Sequence, residues 1–432
     1  MNKRKWLLRK TVALTVILGF GIILPGRAAE NQETLTLQQI VDSAMKNHPT
    51  VIESQNRWEE KEGRKSLAIT QPNPKFGIMK DDMENGPFSL GSAMMTEYSL
   101  SQEIMNPAKL RAMGKMAGSD ALMAKANYQD QQLAAYVAAK TAYYDLLYAG
   151  KALAIGQENQ QLMGQLVQIA QVNYATGMVS LQDALRAQTE FSRMTTDLLS
   201  MAAMEAVAKA KLNTAMGRAA DTVIGVKEEF TAPPPDFNLT TLIKTASESN
   251  PAVIGMQRQV EMAQGGVELA KKQQLPDYEL QLSYKDRKPT GMESQPSTWK
   301  VGFMVMLPLW QAKNKAEITT ANANLAAAQA SLTNMQNMTA LDIQMALTEA
   351  QAAWRKIDLY QNTIVPAAEQ TYQAGVVGYT NGKVDFMAVL DSLTALRNAK
   401  LDYYKVRIDY EKAATNLEKA VGKPLFISGA NP

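Results

Sequence analysis

The chain has 432 residues, with 45 Lys and Arg against 42 Asp and Glu, and it contains no cysteine. This near balance of charge favours neither nucleic acid nor an acidic polymer as a partner. Without cysteine the chain has no disulfide framework and no thiol that could carry a lipid anchor.

The first 29 residues have the pattern of a targeting segment. A short apolar run at residues 12–24 follows a basic start, and small residues stand at Ala28 and Ala29. The run is shorter than the roughly 20 residues that a membrane-spanning helix needs. We therefore predict a secretory signal peptide over residues 1–29 and an exported mature chain.

The rest of the sequence is a tandem duplication, with repeats predicted at residues 30–235 and 236–432. Equivalent positions include Pro49 and Pro251, Lys109 and Lys313, and Gly177 and Gly382, which lie 202, 204 and 205 residues apart. Small loop insertions would explain that drift. Two units of about 200 residues are too few and too long for a solenoid, so one large unit has been duplicated.

Each repeat is predicted to open with two short helices, at residues 35–46 and 49–70 and again at 239–249 and 251–274. Pro49 and Pro251 separate the helices of each pair, because the residue before a proline is pushed out of the α region. Strand pairs follow at about residues 74–104 and 276–308, where the hydrophobic pattern changes to a period of two.

Alternation is clearest in the second strand pair. Segments of about ten residues with one apolar face and aromatic ends are typical of outer-membrane strands. A half-buried hairpin on a soluble domain would also alternate, so both interpretations stay open. The residues that we predict to face lipid are Tyr278, Leu280, Leu282, Tyr284, Trp299 and Phe303.

Long helices are predicted at residues 107–173 and 311–372, since both stretches are rich in good helix formers. At 1.5 Å per residue, about 60 residues make a rod of roughly 90 Å. A third helix follows in each repeat, at 177–217 and 382–422. Helices this polar need partners along a narrow seam, as in coiled coils.

Four strands in one chain are too few to close a membrane barrel. Only helices and closed barrels satisfy the backbone in lipid, and the smallest outer-membrane barrels have about eight strands. Oligomerisation is therefore required, with a dimer supplying eight strands and a trimer twelve.

No catalytic constellation is present, and we predict neither enzyme activity, nor a cofactor, nor a metal site. His48 is the single histidine and precedes a proline, and the chain has no cysteine. The sequence therefore offers poor candidates for a Ser-His-Asp or Cys-His arrangement. Methionines cluster around the first strand pair and could suit soft metal ions or simply fill apolar gaps. They are Met79, Met83, Met94, Met95 and Met105.

Several motifs together resemble the TolC-type outer-membrane efflux family, over about residues 30–425. They are the paired openings Asn47-His48-Pro49 and Ser249-Asn250-Pro251, the two Tyr-x-x-Gly segments at Tyr174 and Tyr379, and the stretch from Asp385 to Lys400. The resemblance implies a mainly α fold with a β-barrel portion. A trimer would form a twelve-stranded barrel above a long antiparallel α-helical barrel.

The resemblance also implies a function and its partners. The protein would be an exit duct in the outer membrane that reaches into the periplasm, joined by a periplasmic adaptor to an inner-membrane pump of the RND type. The stretch after Gln102 resembles the heavy-metal branch, with Ala108 in place of a family glycine. Alternatives are a type I protein-secretion channel or a periplasmic coiled-coil adaptor, which would lack membrane strands.

The family's constriction is implied at the Tyr-x-x-Gly turns, where Gly177 and Gly382 reverse the chain. Tyr379 would donate a hydrogen bond to Asp183, and three copies of Asp391 would form an acidic ring. Val384 replaces the linking basic residue of the family. Without the resemblance, the two aspartates are better explained as solvated residues near helix starts, which the helix dipole favours.

Overall fold

The computed structural model describes residues 34–83, 93–288 and 296–425. The predicted signal peptide lies outside these ranges. The helices are α1 (Leu37–Asn47), α2 (Pro49–Ala68), α3 (Pro107–Ala175), α4 (Leu181–Ala215), α5 (Leu239–Ser249), α6 (Pro251–Lys272), α7 (Gln311–Leu359), α8 (Val365–Thr380) and α9 (Phe386–Val421). The strands are β1 (Thr34–Leu35), β2 (Lys75–Met83), β3 (Ala93–Ile104), β4 (Gly225–Val226), β5 (Asp277–Arg287) and β6 (Thr298–Met306).

The first helix begins two residues later than predicted, because Leu35 belongs to a strand. β1 pairs in parallel with β4, and the Leu35 carbonyl accepts a hydrogen bond from the Lys227 backbone. α1 then starts with a capping box between Thr36 and Gln39, which satisfies two backbone donors at the helix start. This two-residue ladder was not predicted from the sequence.

The ends of α4 and α9 pack against the proline breaks. A Cβ atom on Gly217 would lie 2.5 Å from the Asn47 carbonyl oxygen, and one on Gly422 would lie 2.4 Å from the Cα atom of Asn250. Both glycines also have positive φ angles, of 73° and 88°. Only glycine combines that backbone conformation with so close an approach.

The four long strands form one antiparallel sheet in the order β2-β3-β5-β6. The predicted mainly helical fold with four long strands is therefore confirmed. Leu282 lies opposite Leu100 on β3 and Val301 on β6, so the apolar sets of neighbouring strands share one face. No helix in the described ranges is both long and apolar enough to cross a bilayer.

The second long rod differs from its prediction. It runs to Thr380 rather than residue 372, and a π-helical turn at Tyr360–Ile364 interrupts it. The backbone N–H of Val365 bonds the carbonyl of Tyr360, five residues earlier. A π-turn holds one extra residue inside a helix, so the change in repeat offset from 204 to 205 occurs here. The loop insertion predicted for that step was wrong.

The segment between the repeats is tied across α3 and α9. Tyr143 donates a hydrogen bond to the Lys227 carbonyl (2.6 Å), and the Ala232 backbone donates to Glu411. Tyr144 also donates to Glu411 (2.8 Å). Burial raises the pKa of the Glu411 carboxyl above its usual range.

A buried ion pair joins the same two helices. Lys140 Nζ lies 2.9 Å from Glu418 Oε2, and the two side chains are 6% and 0% exposed. Tyr136 donates a second hydrogen bond to Glu418 (2.6 Å), and the Leu425 backbone donates a third (3.0 Å). A buried charge pair needs such additional bonds to offset its loss of hydration.

Candidate functional site

The predicted glycines lie at two equivalent helix reversals. Gly177 stands between α3 and α4 with φ of 74°, and Gly382 between α8 and α9 with φ of 68°. Each turn closes with the same backbone bond, from Met178 to Asn173 and from Lys383 to Gly378, both 2.8 Å long. A left-handed glycine ending a helix in this way is a common C-terminal cap.

Tyr379 is the centre of an apolar cluster at these reversals. Its side chain is 1% exposed, and its ring packs edge-on against Phe386 with the centroids 5.8 Å apart. Asn173 Nδ2 donates to the Tyr379 carbonyl (3.3 Å). The sequence analysis missed Asn173, although it directly precedes the first Tyr-x-x-Gly motif. The cluster draws residues from α3, α4 and α9, including Met163, Leu166, Ala187, Met194, Val389 and Leu393.

The predicted hydrogen bond between Tyr379 and Asp183 is absent from the single chain. The Tyr379 hydroxyl is buried without a hydrogen-bond partner among the described residues. Burial raises the pKa of Tyr379, and the nearby Asp183 carboxylate is the smaller cause. Asp183 sits in the first turn of α4, where its backbone N–H donates to the Ser180 hydroxyl (3.2 Å). An unpaired buried hydroxyl costs about 1–3 kcal/mol.

The remaining predicted constriction residues lie on or beside α9. Asp391 is exposed, on the helix face opposite the buried Val389 and Leu393. Val384 packs so closely on the second turn that a Cβ on Gly378 would lie 2.6 Å from its methyl group. Its apolar side chain therefore closes the turn and offers no polar link.

The residues predicted to face lipid are brought together by the strand register. Tyr278 stacks on Phe303 with centroids 5.8 Å apart, and Tyr284 lies 4.8 Å from Trp299. Trp299 and Phe303 are 67% and 63% exposed. This face is the apolar surface that an outer-membrane strand needs.

On the opposite face the structure brings two of the predicted methionines near each other. Met79 is paired with Glu97 and Met95 with Asp81, so both methionines share one face of adjacent strands. The side chains of Met83 and Met94 lie outside the described residues. Across the described part of the chain, no three His, Asp or Glu side chains are grouped to hold a metal ion.

Comparisons with known proteins agree with this architecture. The model of the family "Outer membrane efflux protein" matches residues 40–218 and 242–423. The cobalt-zinc-cadmium resistance protein CzcC of Cupriavidus metallidurans is 22% identical over 282 residues, 65% of this chain and 66%, just under two thirds, of that protein. The outer membrane protein TolC of Escherichia coli is 23% identical over 358 residues, 77% of this chain and 70% of TolC.

The fold is also that of solved channels. The outer-membrane channel OprN superposes with a TM-score of 0.77 over 89% of both chains, at 15% sequence identity. The family match covers both repeats, from α1 to the end of α9. The chain therefore belongs to the outer membrane efflux protein family, whose members are non-enzymatic channels of the outer membrane that extend into the periplasm.

Proposed function

We propose that three copies of this chain form the exit duct of a tripartite efflux system, joined through a periplasmic adaptor to an inner-membrane pump of the RND type. The observation that carries this proposal is the four-stranded sheet, in which β2 and β6 each pair on one side only within the described residues. Three such sheets supply twelve strands, enough for a closed outer-membrane barrel.

Heavy-metal cations are the proposed substrates. Support comes from the likeness to CzcC and from the resemblance of the stretch after Gln102 to the heavy-metal branch. Selectivity for the cargo would rest largely with the pump, whereas the duct has to pass cations without repelling them. Exposed carboxylates near the narrowest point, such as Asp391, would serve that requirement.

Disrupting the gene in its native host tests the substrate. We expect lower growth-inhibiting concentrations of Cd²⁺, Zn²⁺ and Co²⁺, restored by the intact gene on a plasmid. Unchanged metal tolerance with new sensitivity to dyes and detergents would overturn the metal assignment and leave the duct in place. Loss of a secreted protein alone would favour the type I secretion alternative.

We further propose that Tyr379 and Asp183 act as a latch and Asp391 as a charged ring where the duct narrows. The Tyr379 hydroxyl is unpaired in the single chain, and the Asp183 carboxylate is close enough to act on its pKa. A charge-assisted bond there would contribute about 1.5–3 kcal/mol.

Single-channel recording in planar bilayers tests both parts of the constriction. Tyr379→Phe combined with Asp183→Ala removes the latch, and we expect a higher conductance. Asp391→Asn removes three carboxylates from the narrow region, so the preference for cations over anions should fall. Asp409→Asn is the control, because Asp409 is exposed on the same helix but lies 18 residues farther from the reversal than Asp391. Unaltered conductance and selectivity would show that these residues do not form the constriction.

A further inference from the structure

Within one chain the two repeats meet along an internal seam, where α3 and β3 pack against α6 and β5. Lys109 is the third residue of α3 and is buried, with its Nζ 2.6 Å from Asp277 Oδ2 at the start of β5. The Asn106 backbone donates to the other oxygen of Asp277 (2.8 Å). Farther along, Lys115 pairs with Glu268 at 2.9 Å.

Because the chain is duplicated, the two surfaces that meet in the internal seam each occur a second time, at the two outer sides of the chain. By position, α7 and β6 correspond to α3 and β3, while α2 and β2 correspond to α6 and β5. α6 is packed between α3 and α7, whereas α2 has α3 as its only long-helix neighbour within the described residues. Accordingly α2 buries two of its 20 residues and α6 six of its 22.

A glycine on the uncovered side of α2 points to the missing neighbour. Gly265 of α6 is needed because a Cβ there would lie 2.8 Å from Met116 Cγ. Gly63 is its equivalent on α2, yet among the described residues no atom lies within 4 Å of a Cβ built there. A glycine inside a helix costs roughly 0.5–1 kcal/mol relative to alanine. The residue equivalent to Met116 is Thr320, exposed on α7.

We infer that α7 and β6 of one copy pack on α2 and β2 of a second copy in the geometry of the internal seam, and that two lysines meet where the internal seam has its buried salt bridge. This outer seam rests on the assembly in the proposed function. Lys313 is the third residue of α7, as Lys109 is of α3, and Lys75 begins β2 as Asp277 begins β5.

The lysine contact makes the outer seam the weaker of the two. Lys313 pairs with Glu317 at 3.7 Å on its own helix, and because this pair is exposed it contributes little. Repulsion between Lys313 and Lys75 of the second copy is strongest at low ionic strength, because salt screens exposed charges. The oligomer should therefore dissociate at a lower temperature at low ionic strength than in added salt.

Placing the missing carboxylate tests the contact. Lys75→Asp creates the equivalent of Lys109–Asp277 between copies, so we expect the unboiled oligomer to dissociate at a higher temperature in detergent gels. Its stability should then fall with added salt, whereas that of the wild type should rise. Combining Lys75→Asp with Lys313→Ala removes the repulsion without forming the ion pair, so it should keep only part of the gain and lose the fall with added salt.

Two outcomes of this test count against the seam. An unchanged dissociation temperature for Lys75→Asp, or the full gain retained in the presence of Lys313→Ala, overturns the lysine contact while the oligomer itself stands. A wild-type protein that is monomeric would instead remove the proposed assembly.

Cross-linking tests the position of the seam independently. Because the chain has no cysteine of its own, introduced cysteines are the only thiols that can react. Thr319 and Ser66 are exposed and are the equivalents of Lys115 and Glu268. With cysteine at both, a short thiol–thiol cross-linker should join copies and give bands of two and three chains. Cysteines replacing Lys115 and Glu268 are the matched control and should link within one chain, leaving a monomer band. A monomer band alone from the 319/66 pair, when mass spectrometry shows that the control has formed its link within the chain, would place the seam elsewhere.

Discussion

Lys140→Ala should lower the free energy of unfolding by about 3–5 kcal/mol, the usual cost of removing one partner from a buried ion pair. Glu418 would remain fully buried, still bonded to Tyr136 and a backbone N–H but without the ammonium group that balances its charge. The loss should appear as a lower midpoint of thermal unfolding of the detergent-solubilised protein.

Lys400→Ala is the matched control for this prediction. It removes a pair between the same two helices, with Glu158 at 2.8 Å, but that pair is partly exposed and should contribute at most about 1 kcal/mol. A combined Lys140→Gln and Glu418→Asn variant should recover part of the loss, since Gln344 and Asn213 occupy the equivalent positions of the other repeat. Equal midpoints for Lys140→Ala and Lys400→Ala would contradict the importance of the buried pair.

Leu282→Arg should also have a large effect, because it places a cation on the apolar face of β5. Near the midplane of a bilayer such a change costs about 2–4 kcal/mol. We expect a marked drop in the amount of assembled protein recovered from the outer membrane.

The control for this change has to lie on the other face of β5. Alternation alone suggests Ser283, but that side chain is 4% exposed, so an arginine there would also be crowded. Gln281 is exposed, lies on the same face of β5 as Ser283 and pairs with Gly302. Gln281→Arg should therefore be tolerated. Comparable losses from the two arginines would mean that the faces are wrongly assigned.

The features that sequence predicted well are those with a local cause. Proline fixes the breaks before Pro49 and Pro251, glycine permits the reversals at Gly177 and Gly382, and strict alternation marks β5. Each of these depends on residues close together in the chain. Most helix and strand bounds therefore followed to within a few residues, whereas the second long rod ends eight residues beyond its predicted end.

Features that depend on distant neighbours could not be predicted in this way. Lys140 and Glu418 have the pattern of solvated helix residues, and only the packing of α3 on α9 buries them together. The π-turn adds one residue without any loop composition to reveal it. The latch pair was assigned by resemblance, and the single chain holds Tyr379 against Phe386 with its hydroxyl unpaired.

The assembly is the central claim, and the native mass of the protein extracted from outer membranes tests it most directly. Mass spectrometry in detergent should give the mass of three mature chains, because four strands from each are needed to close a twelve-stranded barrel. A stable monomer or dimer as the dominant species would contradict the proposed duct.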